Sequence, residues 1–221
     1  MRDNKAISTL AGLVALGSGL ALVFSVTSGF GPHLDRGPHQ AAGRVLAEQT
    51  LALLKPGGTL MVITRDTVDF QNPAADALLA SLRHRLAKAS VKIDSIQALK
   101  IDPLRPLAVP AGDFFQWIKS RPQGSVILSL MGPPMLNEAQ LAQLGEIKPA
   151  IIAFCPGPLR NQADLRSLFS RGLLQAAVVS KRHVAAAPAG SVSEQEAFDR
   201  QFVAVTPGNL AALTPASNPA P

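Results

Sequence analysis

At 221 residues, with a net charge of +6 and a sequence pI near 10.0, the chain is long enough for one domain with a sizeable core. Its lysines and arginines are scattered, and its one Trp and nine Phe do not interleave with them, which argues for generic attraction to anionic lipid or cell-surface polymers and against nucleic-acid recognition. The single cysteine, Cys155, excludes an intrachain disulfide and leaves the redox compartment unread.

After the basic leader, residues 1–5, no charged residue occurs until Asp35, and residues 6–26 form a nearly unbroken apolar run. About 20 such residues span the ~30 Å hydrocarbon layer as a helix, so residues 6–28 are expected to form a transmembrane signal anchor in the lipid bilayer. Two other readings stay open: a cleaved signal peptide, with Val26-Thr27-Ser28 before Gly29 as its cleavage site, and a buried helix. Ala11, Ala15 and Gly19, four apart, would put small residues on one helix face, where two copies could meet as a homodimer. Arg2 and Lys5 before the run are balanced by Arg36 and Arg44 after it. The short basic leader is the ordinary form of an export signal, so the N-terminus is expected in the cytoplasm and the domain in the periplasm or outside the cell.

Residues 29–40 read as a juxtamembrane linker, residues 41–206 as an α/β domain, and residues 207–221 as a disordered tail rich in Ala and Pro. Within the domain, residues 41–54 predict a helix stopped by Lys55-Pro56-Gly57-Gly58, and residues 59–64 an apolar strand. Asn72 is a good N-cap before Pro73, and Leu78, Leu79, Leu82 and Leu86 make the stripe of a helix ending near Ser90. Residues 91–99 read as a strand alternating with Lys92 and Asp94, and Asp113 as the cap of a short helix over 114–119. There follow a strand at 125–131, a helix at 137–145, a strand at 150–154, a helix at 162–170, a strand at 173–179 and a last apolar run at 202–206. Residues 184–193 look most like a loop.

Strands alternating with helices of this length imply right-handed βαβ units and a mainly parallel sheet with helices on both faces. Met61-Val62-Ile63, Val126-Ile127-Leu128 and Ile151-Ile152-Ala153 are apolar on both faces, as central strands must be, whereas the charges of residues 91–99 suit an edge. The expected order is therefore 2-1-3-4-5, a flavodoxin-like, Rossmann-like sheet.

Ligands of such sheets lie beyond the carboxyl ends of the strands, which makes Asp66, Asp69, Gly132, Gly157 and Ser180 the ligand-binding candidates. Asp66 and Asp69 could act as acid and base or hold a cation, or could be solvated loop residues answering Arg65. Cys155 could be a nucleophile with His183 as its base, though a cysteine after an apolar strand is more often a small buried hydrophobe. The four histidines, His33, His39, His84 and His183, make no tight metal spacing, and neither a G-x-G-x-x-G loop nor a phosphate P-loop occurs, so no metal or cofactor is expected. Arg83, Arg85, Lys88 and Lys92 crowd one helix end, where cations oppose the helix dipole favourably or face acidic partners.

Two stretches read as interaction surface. Phe114, Phe115 and Trp117 cannot all face one side of a short helix, which leaves Phe115 or Trp117 for a contact. Pro103, Arg105 and Pro106 belong to a proline-stiffened segment that braces the sheet edge or offers a rigid strip to a partner.

The stretch Leu54-Lys55-Pro56-Gly57-Gly58-Thr59-Leu60 resembles a turn of S-adenosylmethionine-dependent methyltransferases, but the glycine-rich cofactor loop they carry upstream is missing. The anchor, with TLMVITRDT, IDPLRPLAVPAGDFF, LSLMGPP and IIAFCPG, resembles a group of uncharacterised single-anchor bacterial membrane proteins. The part from about residue 59 to 206 is also similar in layout to one lobe of the type I periplasmic solute-binding fold. That fold clamps a solute between two lobes, so solute binding by this chain would need two copies to pair, and no functional residue carries over from either group. The function expected is a noncatalytic interaction or sensing module at the membrane, binding a protein partner or another copy of itself. The alternative is a small-ligand binder or enzyme acting through Asp66 and Asp69.

Overall fold

The computed structural model describes residues 35–67, 72–100, 108–145, 148–157, 159, 164–181 and 192–213. The expected anchor, Asp69, His183 and the strip of Pro103, Arg105 and Pro106 lie outside the described residues. Among the described residues no helix is long and apolar enough to cross a membrane.

Helix α1 spans Gly37–Leu53, starting within the expected linker because Pro38 sits in its first turn. It buries small residues, Ala41, Ala42 and Ala47, beside Leu46, and the buried Thr50 hydroxyl donates to the Leu46 carbonyl at 2.8 Å. Small residues allow a close crossing. At Gly43 a Cβ would lie 2.2 Å from the Leu78 carbonyl oxygen, so α1 rests backbone to backbone on α2, Pro73–Lys88. Helix α2 starts where expected: Asn72 Oδ1 accepts the Ala75 N–H at 3.2 Å. Its Leu78, Leu82 and Leu86 are buried while Leu79 stays partly exposed.

Six strands form one sheet: β1 Leu60–Arg65, β2 Ser95–Leu99, β3 Val126–Ser129, β4 Ala150–Cys155, β5 Ala176–Ser180 and β6 Phe202–Val205. Their order is β2-β1-β3-β4-β5-β6, with β1 to β5 parallel and β6 antiparallel to β5. The first five strands take the order expected from the sequence. Alternation along the strands divides the core in two. Met61, Ile63, Ile127, Ile151, Ala153 and Cys155 face helices α3, Ala111–Ser120, and α5, Leu165–Ser170. Leu60, Val62, Leu128, Ile152 and Phe154 face α1, α2 and α6, Glu194–Gln201. A short α4, Glu138–Gln143, is closed at its start by a reciprocal cap between Asn137 and Gln140.

Three expectations are corrected, and one element is new. Strand β2 starts at Ser95 rather than 91, because the Asp94 N–H turns in to the Leu60 carbonyl while residues 91–94 only lead into the sheet. Asp113 sits inside the first turn of α3, whose cap position is Pro110. Helix α6 was not expected at all. Finally, the chain stays on the domain past 206: Pro207–Ala212 form a 3-10 helix, Leu213 is buried, and Arg166 Nη2 donates to its carbonyl at 2.6 Å.

Candidate functional site at the carboxyl ends of the strands

The strand ends expected to hold a ligand are stitched to one another by their own backbone. Asp66, half-buried after β1, donates its N–H to the Leu99 carbonyl at 2.8 Å and so continues the β1–β2 ladder. Beyond β3, the Leu130 N–H bonds the Ile63 carbonyl at 2.8 Å, and the fully buried Ser129 accepts the Met131 N–H on Oγ at 3.3 Å. Gly132 turns there with φ +87°, a conformation that favours glycine, and donates to the Phe154 carbonyl at 3.1 Å. Pro133 and Pro134 are buried behind it.

After β4, Gly157 (φ +51°) donates to Ser180 Oγ at 3.0 Å, and the Leu159 N–H to the Pro156 carbonyl at 3.1 Å. After β5, the Lys181 N–H bonds the Gln201 carbonyl at 2.8 Å while its ammonium donates to the carbonyl of Asp199. Asp66, Gly132, Gly157 and Ser180 thus come to one end of the sheet, as expected. Gly132 and Gly157, two of the ligand-binding candidates, have their N–H groups engaged within the fold.

Cys155 is fully buried at the end of β4, and burial pushes its thiol from 9.0 up to about 12. A group so reluctant to ionise is no nucleophile at physiological pH. It serves as a small core hydrophobe, the plainer of its two readings. Among the described residues no group of three or more His, Cys, Asp or Glu side chains gathers to hold a metal ion.

Two grooves among the described residues lie elsewhere. An open one of about 660 Å³ sits at the opposite, amino end of the sheet, lined by residues 54–60 and 91–94. Beside it Arg121 joins the starts of β1 and β2: Nη1 donates to Thr59 Oγ1 at 3.0 Å and to Asp94 Oδ2, and Nη2 to Ser95 Oγ at 2.6 Å, while the Thr59 N–H in turn reaches Ser125 Oγ, just before β3, at 3.0 Å. No motif announces Arg121; only the order of the sheet brings its partners together. A second groove, of about 360 Å³, runs between α4 and α5, where Arg171 grips both Glu138 oxygens at 2.8 and 2.9 Å.

The aromatic interaction candidates pack inward. Phe115 is 7% exposed and belongs to the core with Phe114, Trp117 is partly buried against the same core, and Lys119 covers the Phe115 ring at 5.2 Å. Phe115 is therefore corrected from contact residue to core residue. Residues 114, 115 and 118 span one broad sector of α3, and an apolar stripe of about 100° is what a core-facing helix presents. Of the basic cluster, Arg85 and Lys88 occupy the last turn of α2, and Arg85 reaches Glu48 on α1 at 3.8 Å.

Compared with known proteins, the chain matches no protein-family model and no curated protein. Solved structures similar to it include an ABC-transporter solute-binding protein from Agrobacterium vitis bound with alpha-D-tagatopyranose, at 13% identity and TM-score 0.48, over 78% of this chain and 57% of that one. A sugar-binding protein of a sugar ABC transporter from Bacillus halodurans matches at 13% identity and TM-score 0.48, over 80% and 64%. The arabinose-binding protein from Geobacillus stearothermophilus does so at 14% identity and TM-score 0.49, over 80% and 63%. They are of the kind named by the sequence resemblance, the likeness is one of fold layout, and this chain spans less than two thirds of each. No residue role passes from them.

Proposed function

We propose that the domain is a noncatalytic docking module, held at the outer face of a membrane by the apolar segment at residues 6–28, and that it binds a protein surface rather than a small solute. One observation carries this: at the carboxyl ends of the strands the N–H groups of Asp66, Gly132, Gly157 and Lys181 all bond within the fold. A small ligand needs a concave site with a few convergent polar groups left for it. The one thiol at that end is buried and held protonated, which supports a binding rather than a catalytic role.

The test is thermal denaturation of the full chain against pentoses, hexoses and free amino acids at millimolar concentration. A ligand that binds only the folded state raises the midpoint with its concentration. Docking without a solute predicts a midpoint that none of these moves; a saturable rise with any of them overturns the proposal.

A further inference from the structure

Strand β2 lies at an edge of the sheet, paired with β1 on one side and, among the described residues, with no strand on the other. Open edges carry unpaired N–H and C=O groups and invite another strand unless they are blunted. Along this one, Asp94, Ile96, Ala98 and Lys100 are exposed while Ser95, Gln97 and Leu99 are half-buried, and Ile96 keeps 40% of its surface. The Leu99 carbonyl accepts from Asp66 on β1. In a parallel ladder the groups facing one neighbour recur at every second residue, so Ser95, Gln97 and Leu99 address β1. Ile96 and Ala98 turn their main-chain groups outward.

We propose that β2 pairs antiparallel with β2 of a second copy of this chain, about a two-fold axis normal to the sheet at Gln97. This rests on the docking reading and names its partner. In this register Ile96 and Ala98, whose main-chain groups point outward, stand opposite the second copy's Ala98 and Ile96 and exchange hydrogen bonds with them. Asp94 and Lys100 flank the five-residue strand, and the Asp94 N–H turns in to the Leu60 carbonyl, so these two add no main-chain pair. Their exposed side chains come level with the second copy's Lys100 and Asp94, so each charge meets its opposite. The Asp94 side chain is 47% exposed beside its contact with Arg121, which leaves it open to the second copy's ammonium. A register centred on Ile96 would instead set Lys92 against Lys100. Such self-complementarity is what a two-fold interface requires, and a strand of an unrelated partner has no reason to match it. A single pair of five-residue strands is weak in dilute solution, but two chains anchored in one membrane meet at high effective concentration.

The test uses the full chain in the cells that make it, with Gln97→Cys added and the buried Cys155 kept. Directly opposed residues that do not exchange hydrogen bonds lie about 4.5 Å apart between Cα atoms, within the ~4.4–6.8 Å a disulfide spans. Mild oxidation should trap a disulfide dimer of Gln97→Cys, and none of the unsubstituted chain or of Gln195→Cys on α6. Adding Ala98→Pro, which removes an outward N–H, or Ile96→Lys should lower the dimer yield severalfold, with a melting curve to show that the variants fold. No dimer from Gln97→Cys, or a yield that neither second substitution reduces, overturns the pairing. The docking reading stands or falls separately: a chain that does not pair yet ignores solutes keeps it, and one whose midpoint rises with a solute loses it.

Discussion

Gly157 donates its N–H to Ser180 Oγ at 3.0 Å and ties the ends of β4 and β5, one strand pair over from the bond that Gly132 makes to Phe154. The two links differ in how much the fold depends on them. Gly157 bonds an exposed hydroxyl that water can replace, so Ser180→Ala should cost no more than about 1 kcal/mol. Gly132 is buried at φ +87°, where a Cβ is strained although its space is ordinary, 3.6 Å from Leu159 Cδ2. Gly132→Ala should therefore cost about 1–2 kcal/mol. Urea unfolding of the two variants checks the order.

The crossing of α1 on α2 is more demanding. A methyl group at Gly43 would lie 2.2 Å from the Leu78 carbonyl oxygen, so the helices must part along the face that buries Leu46 and Leu82. Gly43→Ala should destabilise the fold by at least ~1–3 kcal/mol, the usual cost of overpacking, despite the better helix propensity of alanine. A shift of the urea midpoint with unchanged slope would show it.

Cys155 sets a pH dependence whose sign follows from its burial. Its thiol rises from 9.0 when unfolded to about 12 when folded, so above about pH 9 the unfolded chain sheds a proton that the native chain keeps. The stability it contributes is complete below pH 9 and is lost as pH climbs toward 12. Cys155→Ala should flatten part of the alkaline fall in melting temperature. In the native chain at pH 8 the thiol should resist alkylation and react once urea unfolds the domain.

Arg121 holds Thr59, Asp94 and Ser95 at the amino ends of β1 and β2, with its own side chain 15% exposed. Replacing it by Met keeps the packing of the stem and leaves three polar partners to find water. Arg121→Met should lose about 1–3 kcal/mol and speed amide exchange across residues 94–96, which hydrogen exchange followed by mass spectrometry would locate.

The parallel sheet was legible because Met61-Val62-Ile63 and its counterparts are apolar on both faces, a pattern only a covered strand carries. The edge position of β2 was legible from Lys92 and Asp94, but its start was not, since the Asp94 N–H is fixed by the Leu60 carbonyl and its carboxylate by Arg121, both distant in sequence. Helix α6 buries only Ala197 and Phe198 and so has little apolar rhythm; its one usable signal was the reciprocal cap of Ser193 and Glu196. The stretch from Pro207 reads as tail because Leu210 and Leu213 stand alone among Ala, Gly, Asn and Pro, and their packing against the core depends on a fold that local composition does not encode. At the site, position was legible but availability was not: sequence brought Gly132, Gly157 and Ser180 to one end, and only the backbone bonds reveal that both glycine donors are in use.

The most direct test is a titration of the isotope-labelled full chain with D-arabinose and other monosaccharides, following the backbone amides of Gly132 and Gly157 by NMR. Docking without a solute predicts that neither resonance moves in a saturable way and that both amides keep their protection from exchange; saturable shifts at these two glycines would contradict it.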